Sequence, residues 1–237
     1  MLIYTIFHQS AEGIDAKTYE STLRALYEGI QTQAKALGES IAVEESIFDQ
    51  QELPETLAPL AEAATQLLSR HHFAAPSQRP IYWDAVQLSS YTQLGMLEQV
   101  VRDRMGIYTG PHGQHLQEFS ATTFNLYESK FSIGEPGSRL HGQRIGLIFF
   151  NKPISLKYDD FREALLVRFQ HWAKQASGEV TLWQRSLGLG RMPEFFLTAK
   201  VTSFQEIEAL LPARDGESLE MTTVLRKGAL LTGQCIF

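Results

Sequence analysis

The sequence predicts an α+β fold built from two similar units in tandem, each ordered β-α-β-β-α-β. Two segments carry that expectation. Ile81–Val100 (IYWDAVQLSSYTQLGMLEQV) and Phe195–Leu211 (FFLTAKVTSFQEIEALL) each run an apolar strand pattern, a Ser or Thr, an aromatic (Tyr91, Phe204) and a helical apolar pattern. Upstream of each lies another strand pattern followed by a long amphipathic helix. The length of 237 residues suits one large domain or two of roughly 100–130 residues, each able to bury its own core.

In the first unit, Leu2–Phe7 is β-branched and aromatic and predicts a strand. Tyr4, Ile6 and His8 would share one face and Ile3, Thr5 and Phe7 the other. Tyr19, Leu23, Leu26, Tyr27, Ile30, Ala34 and Leu37 recur at three and four, the stripe of an amphipathic helix. Asp15 is its N-cap and Gly38 its stop. Ile41–Phe48 predicts a second strand. Leu57, Leu60, Ala64, Leu67 and Leu68 then predict a helix inserted over residues 54–70, where Pro59 fits only in the first turn. Ile81–Leu88 predicts a strand, Tyr91–Val101 a helix, residues 106–120 a glycine-rich loop containing GPHGQH, and Thr122–Phe131 a strand that closes the unit over residues 1–131.

Residues 132–142 (SIGEPGSRLHG) concentrate Gly, Pro and Ser and read as the linker to a second unit over 143–237. There Arg144–Phe150 predicts a strand and Asp159–Ala176 a helix with Phe161, Leu165, Phe169 and Trp172 on its stripe. Val180–Leu187 and Phe195–Thr202 predict strands around the turn GLGRMP, and Phe204–Leu211 a short helix stopped by Pro212. Leu219–Arg226 and Ala229–Phe237 predict one or two final strands. This doubled order is the ferredoxin-like plan, an antiparallel sheet with helices on one face. The bare faces need cover, and a tandem chain supplies it by packing its sheets together as an α/β barrel.

Composition narrows the function. Twenty-one Lys and Arg stand against 27 Asp and Glu, a net charge of −6, which disfavours nucleic acid as a partner. Tandem ferredoxin-like chains also serve as CRISPR RNA endonucleases, but only Arg226, Lys227 and Gly228 hint at the basic glycine loop such a role needs. The single cysteine, Cys235, excludes an internal disulfide and a cysteine-based zinc site and suggests a cytoplasmic setting. No apolar run approaches the ~20 residues that span a bilayer, so no membrane partner is expected. The N-terminus MLIYTIFHQS lacks the basic region of a signal peptide.

No motif names a reaction, so candidate residues rest on chemistry and placement. His171, on the second-unit helix, suits a metal ligand or general base, or a half-buried helix position. His112 and His115 suit a lid loop; only Glu118 is a nearby acid, and no metal site is assigned. Tyr4 and His8 share one strand face, Thr123, Asn125 and Tyr127 another. If those strands are neighbours, their polar groups converge and line a cavity. Trp183 and Arg185 alternate on one strand and could grip a planar anion, or make a cross-strand contact. The GxG of SLGLGRMP leads to a strand and reads as a hairpin turn, not a phosphate loop.

The helix from Tyr158, the Gly178-Glu179-Val180 approach to a strand, the SLGLGRMPEFFLTAKV strand pair and the SFQEIEALL helix resemble the dimeric α/β-barrel superfamily. Within it they are similar to the second half of chlorite-dismutase-like haem proteins. The superfamily also holds cofactor-independent monooxygenases, isomerases and small stress-response proteins. The resemblance implies a cavity between the sheets, a small-molecule partner and self-association. In the haem members a histidine on the long second-unit helix binds iron, and His171 sits at the comparable place. The functional expectation is therefore a small-molecule-binding enzyme, an oxygenase or haem-type oxidoreductase, with catalytic candidates His171 and His8. The alternative is a non-catalytic binding or protein-interaction protein of the same fold.

Overall fold

The computed structural model describes residues 1–10, 12–48, 53–97, 99, 122–134, 142–175, 178–188, 192–211 and 219–236. Its strands are β1 (Leu2–His8), β2 (Ala42–Phe48), β3 (Ile81–Leu88), β4 (Thr122–Ile133), β5 (Arg144–Phe150), β6 (Val180–Gly188), β7 (Phe195–Val201) and β8 (Ala229–Cys235). They close into a barrel in the order β1-β3-β2-β8-β5-β7-β6-β4, every pairing antiparallel. Cut at the β2–β8 and β4–β6 seams, each half lists its strands as fourth, first, third, second. That is the ferredoxin-like order, present twice.

Around the barrel lie α1 (Ala16–Ala36), α2 (Ala58–Ser69), α3 (91–97), α4 (Tyr158–Gln175), α5 (Phe204–Ala209) and α6 (Leu219–Arg226). The Asp15 carboxylate accepts from the Thr18 N–H at 2.9 Å and starts α1. Gly38, at φ 79°, ends it in the left-handed region that favours glycine. Pro59 stands in the first turn of α2, where its missing N–H leaves no bond unmade.

One expected element is corrected. Leu219–Arg226 is the helix α6, not a strand, and only β8 follows it. The β-branched Thr222-Thr223-Val224 run suggested a strand. The spacing of Met221, Val224 and Leu225 is helical, and Leu225 is buried against β5 and β7 residues.

Three apolar cores follow. One packs α1 and α3 on the outer face of β1, β2 and β3. A second packs α4, α5 and α6 on the outer face of β5, β6 and β7, with Leu57 and Leu60 at its edge. The third draws residues from all eight strands and, among the described helices, only from α2. In a closed barrel that cluster is the lumen. The inserted helix lies across one barrel end, with Ala64 and Leu68 joined to the lumen residues.

The β2–β8 seam depends on Gly233, which pairs with Phe48. A Cβ there would sit 1.9 Å from the Ile47 carbonyl oxygen, so no larger residue allows this approach. Among the described residues, no helix is long and apolar enough to cross a membrane.

Candidate functional site

Lumen-facing side chains follow from strand alternation and pairing. Ile3, Thr5 and Phe7 of β1 point inward, and their partners on β3 and β4 share that face: Thr5 pairs with Ala85 and Asn125, Ile3 with Tyr127, Phe7 with Trp83. At the α2 end the lumen is aromatic. Phe196 contacts Tyr127, Phe149, Trp183 and Trp83 with ring centroids 4.5–6.2 Å apart, and Phe7 bridges Trp83 and Phe149.

The opposite end of the lumen is polar. Lys200 reaches Glu44 at 2.8 Å and Glu179 at 3.1 Å, with all three side chains buried. Burial alone would lower the Lys200 pKa, but the two carboxylates outweigh it and hold the ammonium above its ordinary value. The Cys235 thiol meets Glu44 at 3.5 Å and accepts from the Ser46 hydroxyl at 3.6 Å. Burial, then the Glu44 carboxylate, pushes this thiol up to about 12, so it is an inert thiol rather than a nucleophile.

A second buried polar network lies outside the barrel wall, under α1. His8 faces Asp84 through Nε2 at 2.7 Å and the Tyr19 hydroxyl through Nδ1 at 2.7 Å. Tyr27 donates to the same Asp84 oxygen. Tyr82 stacks on His8 at 5.6 Å and donates to Glu20 at 3.2 Å. Facing the Asp84 carboxylate, Nε2 donates to it; the Tyr19 hydroxyl that meets Nδ1 also donates to the Gln9 carbonyl at 3.3 Å. Burial, then the Asp84 charge, holds both Tyr19 and Tyr27 protonated far above the usual phenol range. Glu45 stands beside Asp84; burial and then the Asp84 charge push its carboxyl up to about 9. His8 and Asp84 are 0% and 1% exposed. The arrangement looks like a catalytic dyad, but no substrate reaches it as it stands. It ties α1 to the sheet.

The roomiest described cavity is at the barrel mouth, about 580 Å³. Phe149, Phe150, Pro193 and Ala229 supply apolar wall; Ala63, Leu67 and Arg70 of α2 and Val224 and Lys227 at the end of α6 complete it. Arg70 and Lys227 are exposed and put two cations beside apolar surface. A second cavity, about 270 Å³, lies between α4 and β6 beside Phe131, Tyr158, Phe161 and Leu182. A third, about 480 Å³, lies between α2 and α5 beside Leu60, Glu208 and Leu211.

The expected site residues do not gather in one place. Asn125, Tyr127 and Trp183 face the lumen, the Tyr127 hydroxyl donating to the Pro193 carbonyl at 3.2 Å and the Trp183 indole to Thr198 at 2.9 Å. Tyr4 and His8 face outward under α1, so they do not converge with Asn125 and Tyr127 although β1 and β4 are neighbours. The pairing of Thr5, not Tyr4, with Asn125 sets this. Arg185 donates to the Met192 carbonyl at 2.6 Å and helps hold the turn end. His171 is half-buried on α4 and lines none of the three cavities. A haem iron bound there would have no described pocket for its ring. His112 and His115 lie outside the described residues. Among the described residues no cluster of three His, Cys, Asp or Glu could hold a metal ion.

Sequence reasoning missed Asp84, Glu45, Glu44, Lys200 and Glu179. For four of them the signal was present: AVEESIF, IYWDAVQL and FFLTAKV each carry charge inside an otherwise apolar strand. A charge so placed is either on an exposed face or paired.

No family model matches the chain, and no curated protein matches it. Solved structures match it over nearly its full length. An anthrone oxidase-like protein is 12% identical with a TM-score of 0.53, covering 100% of this chain and 91% of that one. A mutant of chlorite dismutase from Candidatus Nitrospira defluvii is 12% identical with a TM-score of 0.53, covering 98% and 90%. The same chlorite dismutase in complex with imidazole is 13% identical with a TM-score of 0.52, covering 98% and 90%. The barrel fold is shared with these proteins, as the sequence resemblance implied; the likeness concerns the fold alone.

Proposed function

We propose that this protein binds a small apolar acid in the cavity at the barrel mouth. The observation that carries the reading is the cavity of about 580 Å³ in which Phe149, Phe150 and Leu67 form apolar wall beside Arg70 and Lys227. Its size falls in the ~300–1,000 Å³ range of small-molecule sites. The apolar wall takes the hydrocarbon body; the two cations take the acid group.

The probe is 8-anilinonaphthalene-1-sulfonate, a ring system carrying one anionic group. Saturable fluorescence enhancement with the native protein is expected, weakened about tenfold, or ~1.4 kcal/mol, by Arg70→Gln with Lys227→Gln. Equal affinity in that variant sinks the reading, provided circular dichroism reports a native fold.

The reaction class is a narrower reading. The fold shared with a chlorite dismutase and an anthrone oxidase-like protein supports an oxidoreductase by analogy. The haem version is tested by adding haemin to the wild type and to His171→Ala. A Soret shift present only in the wild type supports it; identical spectra remove it. A non-catalytic binding protein is the second reading, and the burial of the His8–Asp84 pair away from any substrate favours it.

A further inference from the structure

We infer that the lumen holds a second ligand site, separate from the mouth cavity, for a flat neutral aromatic molecule bearing a hydroxyl or carbonyl group. One row of lumen-facing positions crosses three neighbouring strands: Ala85 on β3, Thr5 on β1 and Asn125 on β4, each paired with the next. All three side chains are small. The adjacent rows are bulky, with Trp83 and Phe7 on one side and Ile3 and Tyr127 on the other. The small row is a shelf between two large layers.

The shelf carries polar groups that no described residue satisfies. Asn125 is 1% exposed, and among the described residues neither its side-chain oxygen nor its nitrogen has a hydrogen-bond partner. Trp83, 1% exposed on the neighbouring row, has an indole N–H in the same position. The other two indoles behave ordinarily: Trp172 donates to the Leu210 carbonyl at 2.8 Å and Trp183 to Thr198 at 2.9 Å. An unmade hydrogen bond on a buried group costs about 1–3 kcal/mol. Three such atoms on one stretch of wall need an explanation.

Water explains them poorly at Trp83, whose ring neighbours are Phe7, Phe48 and Phe196 and offer no second partner. An aromatic molecule suits the place. It stacks within the aromatic layer, and a hydroxyl or carbonyl meets an amide that both donates and accepts, or an indole that donates. The ligand is neutral because the charge that continues the row, Glu44, is already held by Lys200. Phe149 lines the mouth cavity and contacts Phe7 and Phe196, the rings beside Trp83. It is the wall between the two sites.

The test is a titration of nitrogen-15-labelled protein with 2-naphthol, followed on the three indole N–H signals, Trp83 being assigned by Trp83→Phe. The Trp83 signal is expected to move more than those of Trp172 and Trp183. Naphthalene, without the hydroxyl, is expected to bind at least about tenfold more weakly. Asn125→Leu is expected to weaken 2-naphthol about tenfold while leaving the anilinonaphthalene sulfonate affinity unchanged. A still Trp83 signal, or equal binding of naphthalene, overturns the site in the wild-type protein alone, whether or not the variant folds. Loss of sulfonate binding in the Arg70 and Lys227 variant bears on the mouth only.

Discussion

Glu45 on β2 and Asp84 on β3 stand directly opposite each other, two acids buried on the sheet face beneath α1. Asp84 takes the available donors, His8 and Tyr27. Glu45 is left with an oxygen that has no partner among the described residues and a carboxyl pushed up to about 9, by burial first and the Asp84 charge second. Like charges directly opposite in a sheet repel, so the pair persists by one member keeping its proton.

Stability therefore depends on pH through Glu45. The unfolded chain releases this proton near the ordinary value of 4.5, the folded chain near 9. Between those values the folded state binds more protons, so the stabilisation is complete below the lower value and is lost as pH rises through the upper one. Glu45→Gln mimics the protonated form. Thermal melts at about pH 5, 7 and 9 should show the variant gaining on the wild type by several degrees as pH rises. A difference that does not change with pH would count against the coupling.

Lys200 holds two buried carboxylates at once. Lys200→Met leaves Glu44 and Glu179 facing each other without a cation, at a cost of about 3–5 kcal/mol. Urea unfolding near neutral pH should show a lower midpoint with the slope unchanged. Combining Lys200→Met with Glu44→Gln and Glu179→Gln should recover most of the loss. Failure to recover would mean that packing, not charge, sets the cost.

Gly233 closes the seam between the two halves. Gly233→Ala puts a methyl group on the Ile47 carbonyl and should destabilise the fold by about 3 kcal/mol or more, read as a fall in melting temperature. Hydrogen exchange should quicken first at the β2–β8 pairing, Ser46 with Cys235 and Phe48 with Gly233. Uniform quickening across the barrel would argue that the seam has no special weakness.

Much of the fold was legible in the residues. The α1 stripe from Tyr19 to Ala34, its Asp15 cap and Gly38 stop are local signals, and the structure has them all. The strands were legible for the same reason. The failure at Leu219–Arg226 is also local: eight residues are too few for periodicity to outweigh three β-branched side chains. The site was less legible because both faces of most strands are buried, one in the lumen and one under a helix. Alternation then says which residues share a face but not which face is the lumen. His8 and Asn125 sit on adjacent strands, yet only the Thr5–Asn125 register shows that they point to opposite sides.

Residue order alone determined the strands, the helices other than Leu219–Arg226 and the doubled β-α-β-β-α-β plan, because caps, stripes and β-branched runs act within a few neighbours along the chain. Tertiary structure alone decided that the two sheets meet at β2–β8 and β4–β6, that Trp83 and Asn125 end on one wall, and that Lys200 finds both Glu44 and Glu179. Those contacts join residues far apart along the chain, as Lys200 and Glu44 are, and are set by strand register and barrel closure, which no local pattern encodes.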